Sequence, residues 1–202
     1  MIYVILFSLA AYLIGSFNTS VIVSKKFYGK DIRNEGSGNA GATNTLRSFG
    51  KKAAAVVFFL DFFKGFITVL IAKYLVVFLD APYECFLFAG FFVQVGHCFP
   101  VFFNFKGGKG VATAAGVAVY IMPVVAIILL SVFATISLST KIASIASGIC
   151  ASVYPLLAYF LADTNKKIYF IFAAACSALI IVLHASNFTR LIDGKEKPVT
   201  NK

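Results

Sequence analysis

Residues 111–140 read VATAAGVAVYIMPVVAIILLSVFATISLST, a stretch without a single charge and with Pro123 near its middle. At 1.5 Å per residue, one unbroken helix here would be about 45 Å long, against a hydrocarbon core of about 30 Å. Proline removes a backbone donor and clashes with the preceding turn, so Pro123 is the natural place for a break. Working outward, residues 2–24, 53–79, 82–104, 142–162 and 168–189 are also long and apolar enough to cross a bilayer. If 111–140 crosses once, the basic tail ends on the opposite side from the other basic loops. If it turns at Pro123, all of them share one side, as the positive-inside rule favours. The expected fold is therefore all-α and integral to the membrane. It has seven transmembrane helices in one polytopic domain over residues 1–202, with the N-terminus outside and the C-terminus cytoplasmic.

Composition agrees. The chain is 60% hydrophobic and only 13% charged, whereas soluble domains are about 25% charged. The net charge of +10 is clustered: seven of 18 Lys and Arg lie between Lys25 and Lys52, and Arg190, Lys195, Lys197 and Lys202 occupy the tail. Such clustering fits topology, lipid headgroups and anionic substrates better than nucleic acid, which is not expected as a partner. Met1 to Ser24 has no positive n-region and reads as a retained first span rather than a signal peptide. Cys85, Cys98, Cys150 and Cys176 lie in apolar segments without a C-x-x-C pair, so neither a metal site nor a disulfide framework is expected.

Three segments carry chemistry, all on the expected cytoplasmic side. The first, Arg33 to Arg47, contains GSGNAGATN and lies in a connection too long for a bare turn. Its glycines are expected to let successive N–H groups point into one concavity suited to an anion, and Arg47 offers a fork for phosphate. The second, FKGGKGVAT from Phe105 to Thr113, is a Gly-rich turn opening a helix, where free N–H groups face an anion. Gly110, not Ser or Thr, follows Lys109, so it is not a Walker A loop. The third, HASNFTRLIDGKE from His184 to Glu196, places His184, Asn187 and Arg190 at helical spacing on one face. Read blandly, the three are a polar linker, a topology-setting turn and a snorkelling helix end followed by a solvated tail. Asp61 and Lys64, three apart within a span, read as a structural ion pair. His97, near the cytoplasmic end of its span, either faces the site or satisfies a neighbour's backbone, and the second reading is favoured.

Together the segments GSGNAGATN with Arg47, GHCFPVFFNFKGGKGVAT and HASNFTRLIDGKE resemble the PlsY family of bacterial acyl-phosphate:glycerol-3-phosphate acyltransferases. The resemblance runs from Gly15 to Glu196 and implies seven transmembrane helices in the bacterial cytoplasmic (inner) membrane. It implies acyl transfer from acyl-phosphate to the 1-hydroxyl of sn-glycerol-3-phosphate, giving 1-acyl-glycerol-3-phosphate (lysophosphatidic acid) and phosphate, the first committed step of phospholipid synthesis. No cofactor is implied, and a soluble acyl-phosphate synthase would be the functional partner. Ser37, Arg47, Lys106, His184 and Asn187 are implied as catalytic, with Arg47 and Lys106 gripping phosphate. Gly38, Asn39, Gly41, Thr43, Asn44, Gly107, Gly108, Lys109 and Gly110 would complete a cradle, with Ser144, Arg190 and Glu196 also binding substrate. The base is either His184 or a substrate phosphate oxygen. The H-x-x-x-x-D dyad of the other large acyltransferase class is absent, since Phe102 and Thr189 stand five residues after the two histidines.

Two other classes compete. A transporter of phosphorylated molecules also uses broken helices and Gly-rich turns, but its site would lie near the midplane between repeats, and this sequence has no internal repeat. A purely structural membrane subunit would leave the three polar segments without a purpose.

Overall fold

The computed structural model describes residues 1–199; Lys202, named above as part of the basic tail, lies outside the described residues. The described residues are helical throughout, with no strand. The helices are α1 (Ile2–Gly15), α2 (Thr19–Tyr28), α3 (Ala42–Phe78), α4 (Cys85–Cys98), α5 (Val111–Ile121), α6 (Pro123–Thr140), α7 (Ala143–Leu161), α8 (Lys166–Leu183) and α9 (Ala185–Ile192). Six of them, counting α1 and α2 as one, are long and apolar enough to cross a membrane.

Residues 111–140 do break at the proline. Met122 is pushed out of the helical region (φ −142°, ψ 73°), as residues before proline are, and Pro123 opens α6 at its first turn. The outcome is unequal arms. α5 has 11 residues, about 16 Å of helix, and falls short of a full crossing by itself. Two expected spans also differ from the reading above. The first is interrupted at Ser16–Asn18, where Asn18 caps α2 by accepting the N–H of Val21. The second begins eleven residues early, at Ala42 rather than residue 53, because a short helix precedes a kink at Gly50 (φ 84°).

The chain forms two compact units, Met1–Ile121 and Met122–Lys202. In the first, α1 packs on α4 and α3 packs on both α4 and α5. The contacts are backbone to backbone. A Cβ on Gly15 would fall on the carbonyl of Val93, one on Gly96 on the carbonyl of Tyr12, and one on Gly116 on the carbonyl of Phe62. Small residues at helix crossings are what lipid-embedded packing requires, since lipid supplies no hydrophobic force between helices. In the second unit, α7 packs between α6 and α8. Large apolar side chains point outward instead: Ile5, Leu9, Phe59, Phe63, Val77 and Phe160 are all exposed. A water-soluble protein does not show such a surface.

Candidate active site

The first unit carries the Gly-rich segments. Apart from one 3-10 turn at Ile32–Asn34, the chain from Asp31 to Gly41 is held by side chains. Arg33 forks onto Asp31, with Nε donating to Oδ1 (3.0 Å) and its second terminal nitrogen to Oδ2 (2.7 Å). Hydrogen bonds from Arg33 hold the Asp31 carboxyl well below the usual carboxylate range, with Lys25 adding to the effect. The remaining arm of Arg33 donates to the carbonyl of Phe103 (2.8 Å), tying this loop to the one before the second Gly-rich turn. Asn44, on the first turn of α3, is buried and uses its whole amide on the loop. It accepts the N–H of Ser37 (2.8 Å) and donates to the carbonyls of Ile32 (3.2 Å) and Glu35 (2.9 Å).

Gly36 (φ 58°) and Gly38 (φ 74°) supply the left-handed turns that fold this loop back on α3. The expectation that its N–H groups converge on one concavity is corrected. The N–H of Gly38 donates to Glu35 and that of Gly41 to Asn39. The same holds in the second loop, where Gly107 donates to the carbonyl of Cys98 and Gly108 to that of His97, both 3.2 Å. The physical reason is that the last turn of a helix leaves carbonyls without partners, and Gly107 and Gly108 cap those of α4. The amides that helix geometry leaves without a partner in their own helix are instead the first of α3, from Ala42, and of α5, from Val111 after Gly110 (φ 77°). The two loops adjoin: a Cβ on Gly108 would press on the carbonyl of Ala40, and Asn18 Nδ2 reaches that same carbonyl at 3.4 Å. Ser37 and Lys106 are exposed, while Asn39, Thr43, Arg47 and Lys109 are half-buried.

Beneath the second loop lies a cluster that the sequence reading only half anticipated. Lys64 Nζ pairs with Asp61 Oδ1 at 2.8 Å, as expected of a structural pair. The expectation for His97 is corrected, because its Nδ1 meets a side chain, Lys64 Nζ, at 2.9 Å. Lys64 also donates to the carbonyls of Gly15 (3.2 Å) and Phe17 (3.1 Å), which the interruption after α1 leaves exposed. The signal for that interruption was present in the polar run Gly15-Ser16-Phe17-Asn18 inside an apolar span.

The second unit gathers Ser144, Asn187 and Arg190 around one carboxylate. Glu196, its side chain only 4% exposed, accepts from Ser144 Oγ (3.1 Å), Asn187 Nδ2 (2.5 Å) and Arg190 Nε (2.8 Å). Burial alone would raise the Glu196 pKa, but these three hydrogen bonds outweigh it and the net shift is downward. The tail is therefore not a solvated end: Val199 N–H also donates to the carbonyl of Lys141 (2.7 Å). His184 is buried, and its Nδ1 sits 2.8 Å from the carbonyl of Ile180. A carbonyl only accepts, so Nδ1 carries a proton and donates it there. Phe188 stacks on His184 and fills the space left by Gly148.

A model of the glycerol-3-phosphate acyltransferase family matches residues 5–194, spanning all three segments. The chain belongs to that family. A glycerol-3-phosphate acyltransferase of Thermoanaerobacter sp. is 43% identical over 201 residues, covering 99% of this chain and 98% of the relative. One from Staphylococcus saprophyticus is 39% identical over 203 residues, covering 97% and 98%. Among solved structures, the integral membrane glycerol 3-phosphate acyltransferase PlsY in its glycerol 3-phosphate form superposes with a TM-score of 0.87 at 39% identity, covering 96% of this chain and 94% of that one. Its lysophosphatidic acid form gives 0.84 at 40% identity, with the same coverage. This family member is thus an acyltransferase enzyme and a multi-pass membrane protein, and a transporter or a purely structural subunit is set aside.

Proposed function

We propose that the enzyme transfers an acyl chain from acyl-phosphate to the 1-hydroxyl of sn-glycerol-3-phosphate, releasing lysophosphatidic acid and inorganic phosphate. The observation that carries this reading is the likeness, at 39–40% identity over 96% of the chain, to a protein solved in glycerol 3-phosphate and lysophosphatidic acid forms. The donor rests on the PlsY resemblance of the three segments. An acyl-phosphate is a mixed anhydride with a good leaving group, so the protein need supply only orientation and charge stabilisation. The glycerol hydroxyl oxygen bonds to the acyl carbon, the carbon–oxygen bond to phosphate breaks, and the hydroxyl proton passes to His184 Nε2 or to a phosphate oxygen.

In this reading Arg47 and Lys106 grip phosphate, beside the first amides of α3 and α5. Ser37 and Asn187 orient phosphate or the carbonyl. Asn39, Thr43 and Lys109 line the cradle. Gly38, Gly41, Gly107, Gly108 and Gly110 shape it, while Asn44 and Glu196 hold its parts in place and Ser144 and Arg190 support Asn187. The chain works as one polytopic domain, since the family match runs unbroken through both units. It sits in the bacterial inner membrane with α5 as a short seventh crossing, the N-terminus outside and the tail cytoplasmic. A soluble acyl-phosphate synthase supplies the donor.

The test is an assay of purified protein with palmitoyl-phosphate and glycerol-3-phosphate, following lysophosphatidic acid and phosphate together. Equimolar release of both is expected, with nothing above background from palmitoyl-CoA. Comparable turnover from the two donors would remove the donor assignment.

A further inference from the structure

His97, Asp61 and Lys64 form a buried cluster in the first unit that the proposed chemistry does not use. Asp61 and His97 are 1% and 3% exposed, and the three polar atoms lie within 2.8 to 3.3 Å of one another. Charges within a span are costly and are kept for a purpose. Lys64 has one in capping the carbonyls of Gly15 and Phe17, and Asp61 has one in neutralising Lys64. Neither task needs a histidine.

The ring is wedged between that ion pair and the second Gly-rich loop. Its Nδ1 faces Lys64. On the opposite edge, Nε2 lies where a Cβ of Gly108 would stand. The carbonyl of the same residue accepts the N–H of Gly108 at 3.2 Å, so His97 meets the loop through both ring and backbone. Asp61 Oδ1 lies 3.3 Å from the same Nδ1, so both members of the ion pair hold one edge of the ring while the Nε2 edge faces the loop. Among the described residues, Asp61 and Lys64 are the charged side chains that the ring meets.

We propose that His97 is a positioning residue: Asp61 and Lys64 fix its ring from one edge, and the other edge seats Gly107–Gly110 so that the loop meets substrate phosphate. This rests on reading that loop as part of the phosphate cradle. Gly108 is then glycine because a side chain would meet the imidazole on one side and the carbonyl of Ala40 on the other.

Two independent experiments test it. The chain has only two histidines, His97 and His184, so ¹⁵N-histidine spectra of the enzyme, assigned with His184→Ala, follow the His97 ring directly. Its ring signals are expected to move in Gly108→Ala and on saturation with glycerol-3-phosphate. Ring signals unmoved by both would overturn the proposal. Steady-state kinetics of His97→Asn and Gly108→Ala supply the second readout. His97→Asn should raise KM for a phosphate substrate about tenfold or more while kcat stays within about threefold and the melting temperature stays near wild type. Gly108→Ala, whose Cβ also meets the carbonyl of Ala40, should raise KM together with a lowered melting temperature. His97→Gln, which restores a polar group near Nε2, should recover part of the loss. Should His97→Asn fail to fold, His97→Gln decides. Unchanged KM for both substrates in a folded variant, beside a raised KM in Lys106→Ala, would leave the cradle standing and sink the role of His97. Unchanged KM in Lys106→Ala as well would remove the cradle, and this proposal with it.

Discussion

The backbone N–H of Ser37 donates to the side-chain oxygen of Asn44 across 2.8 Å, seven residues along the chain. With the two carbonyls that Asn44 also holds, this makes one buried amide the organiser of the first loop. Asn44→Ala removes all three bonds and leaves two carbonyls wanting donors, at about 0.5–1.5 kcal/mol each. The expected result is at least a tenfold loss of kcat/KM with a lowered melting temperature in detergent. Asn44→Asp keeps only the Ser37 contact and should fall between. Wild-type kcat/KM in Asn44→Ala would mean the loop sets itself without it.

Charge-preserving substitution separates phosphate binding from topology at Arg47. Topology counts positive charges, so Arg47→Lys should insert and express normally. Bidentate phosphate binding needs the planar fork, which lysine lacks. Losing one charge-assisted hydrogen bond costs about 1.5–3 kcal/mol, roughly a tenfold to hundredfold fall in kcat/KM. Lys106→Ala should cost at least as much, and Lys52→Ala, an exposed lysine outside the three segments, almost nothing. Near-normal kcat/KM in both Arg47→Lys and Lys106→Ala would show that these cations hold orientation only.

The depressed pKa of Glu196 makes the tail acid-sensitive in a defined direction. A carboxylate whose folded pKa lies below its unfolded value stabilises the fold fully above the unfolded value, about 4.3. That stabilisation is lost as pH falls through the folded value. Protection of the Val199 amide against hydrogen exchange, relative to a free amide at the same pH, should stay high at neutral pH and fall only below the ordinary carboxylate range, since its N–H is bound to Lys141. Glu196→Gln should exchange faster at neutral pH and lose the acid limb. Identical pH profiles for the two proteins would show that the carboxylate does not hold the tail.

The proposed orientation can be read by labelling. In an active background without native cysteines, single cysteines at Ser37 and Phe105 should resist an impermeant thiol reagent in intact cells, while one at Asn165 in the turn between α7 and α8 should react. Phe105 is exposed and suits the purpose; Gly108, in the same loop, has no space for a side chain. Labelling of Ser37 or Phe105 from outside would refute seven crossings with the N-terminus outside.

Much of the fold was legible because lipid imposes one rule, long apolar helices, and Pro123 is read the same way in any solvent. What was not legible depends on contacts distant in sequence. Nothing near Gly107 reveals that its N–H caps α4, so a run of glycines reads as a run of donors. Nothing near His97 points to Lys64, 33 positions earlier. Glu196 was placed among the substrate ligands by resemblance, yet its three partners are side chains of its own unit. The break at Ser16–Asn18 was written in the sequence but masked by the apolar average around it.

The glycine crossings of the first unit have a wider consequence. Where Gly15 lies against Val93 and Gly116 against Phe62, helix spacing is a hard stop set by touching backbones. It is not a balance of pressures from the surrounding solvent. An acyltransferase of this family alters the lipid in which it is dissolved, and a frame closed by such stops keeps its dimensions while the acyl chains around it change. The loops carried on α3, α4 and α5 inherit that indifference.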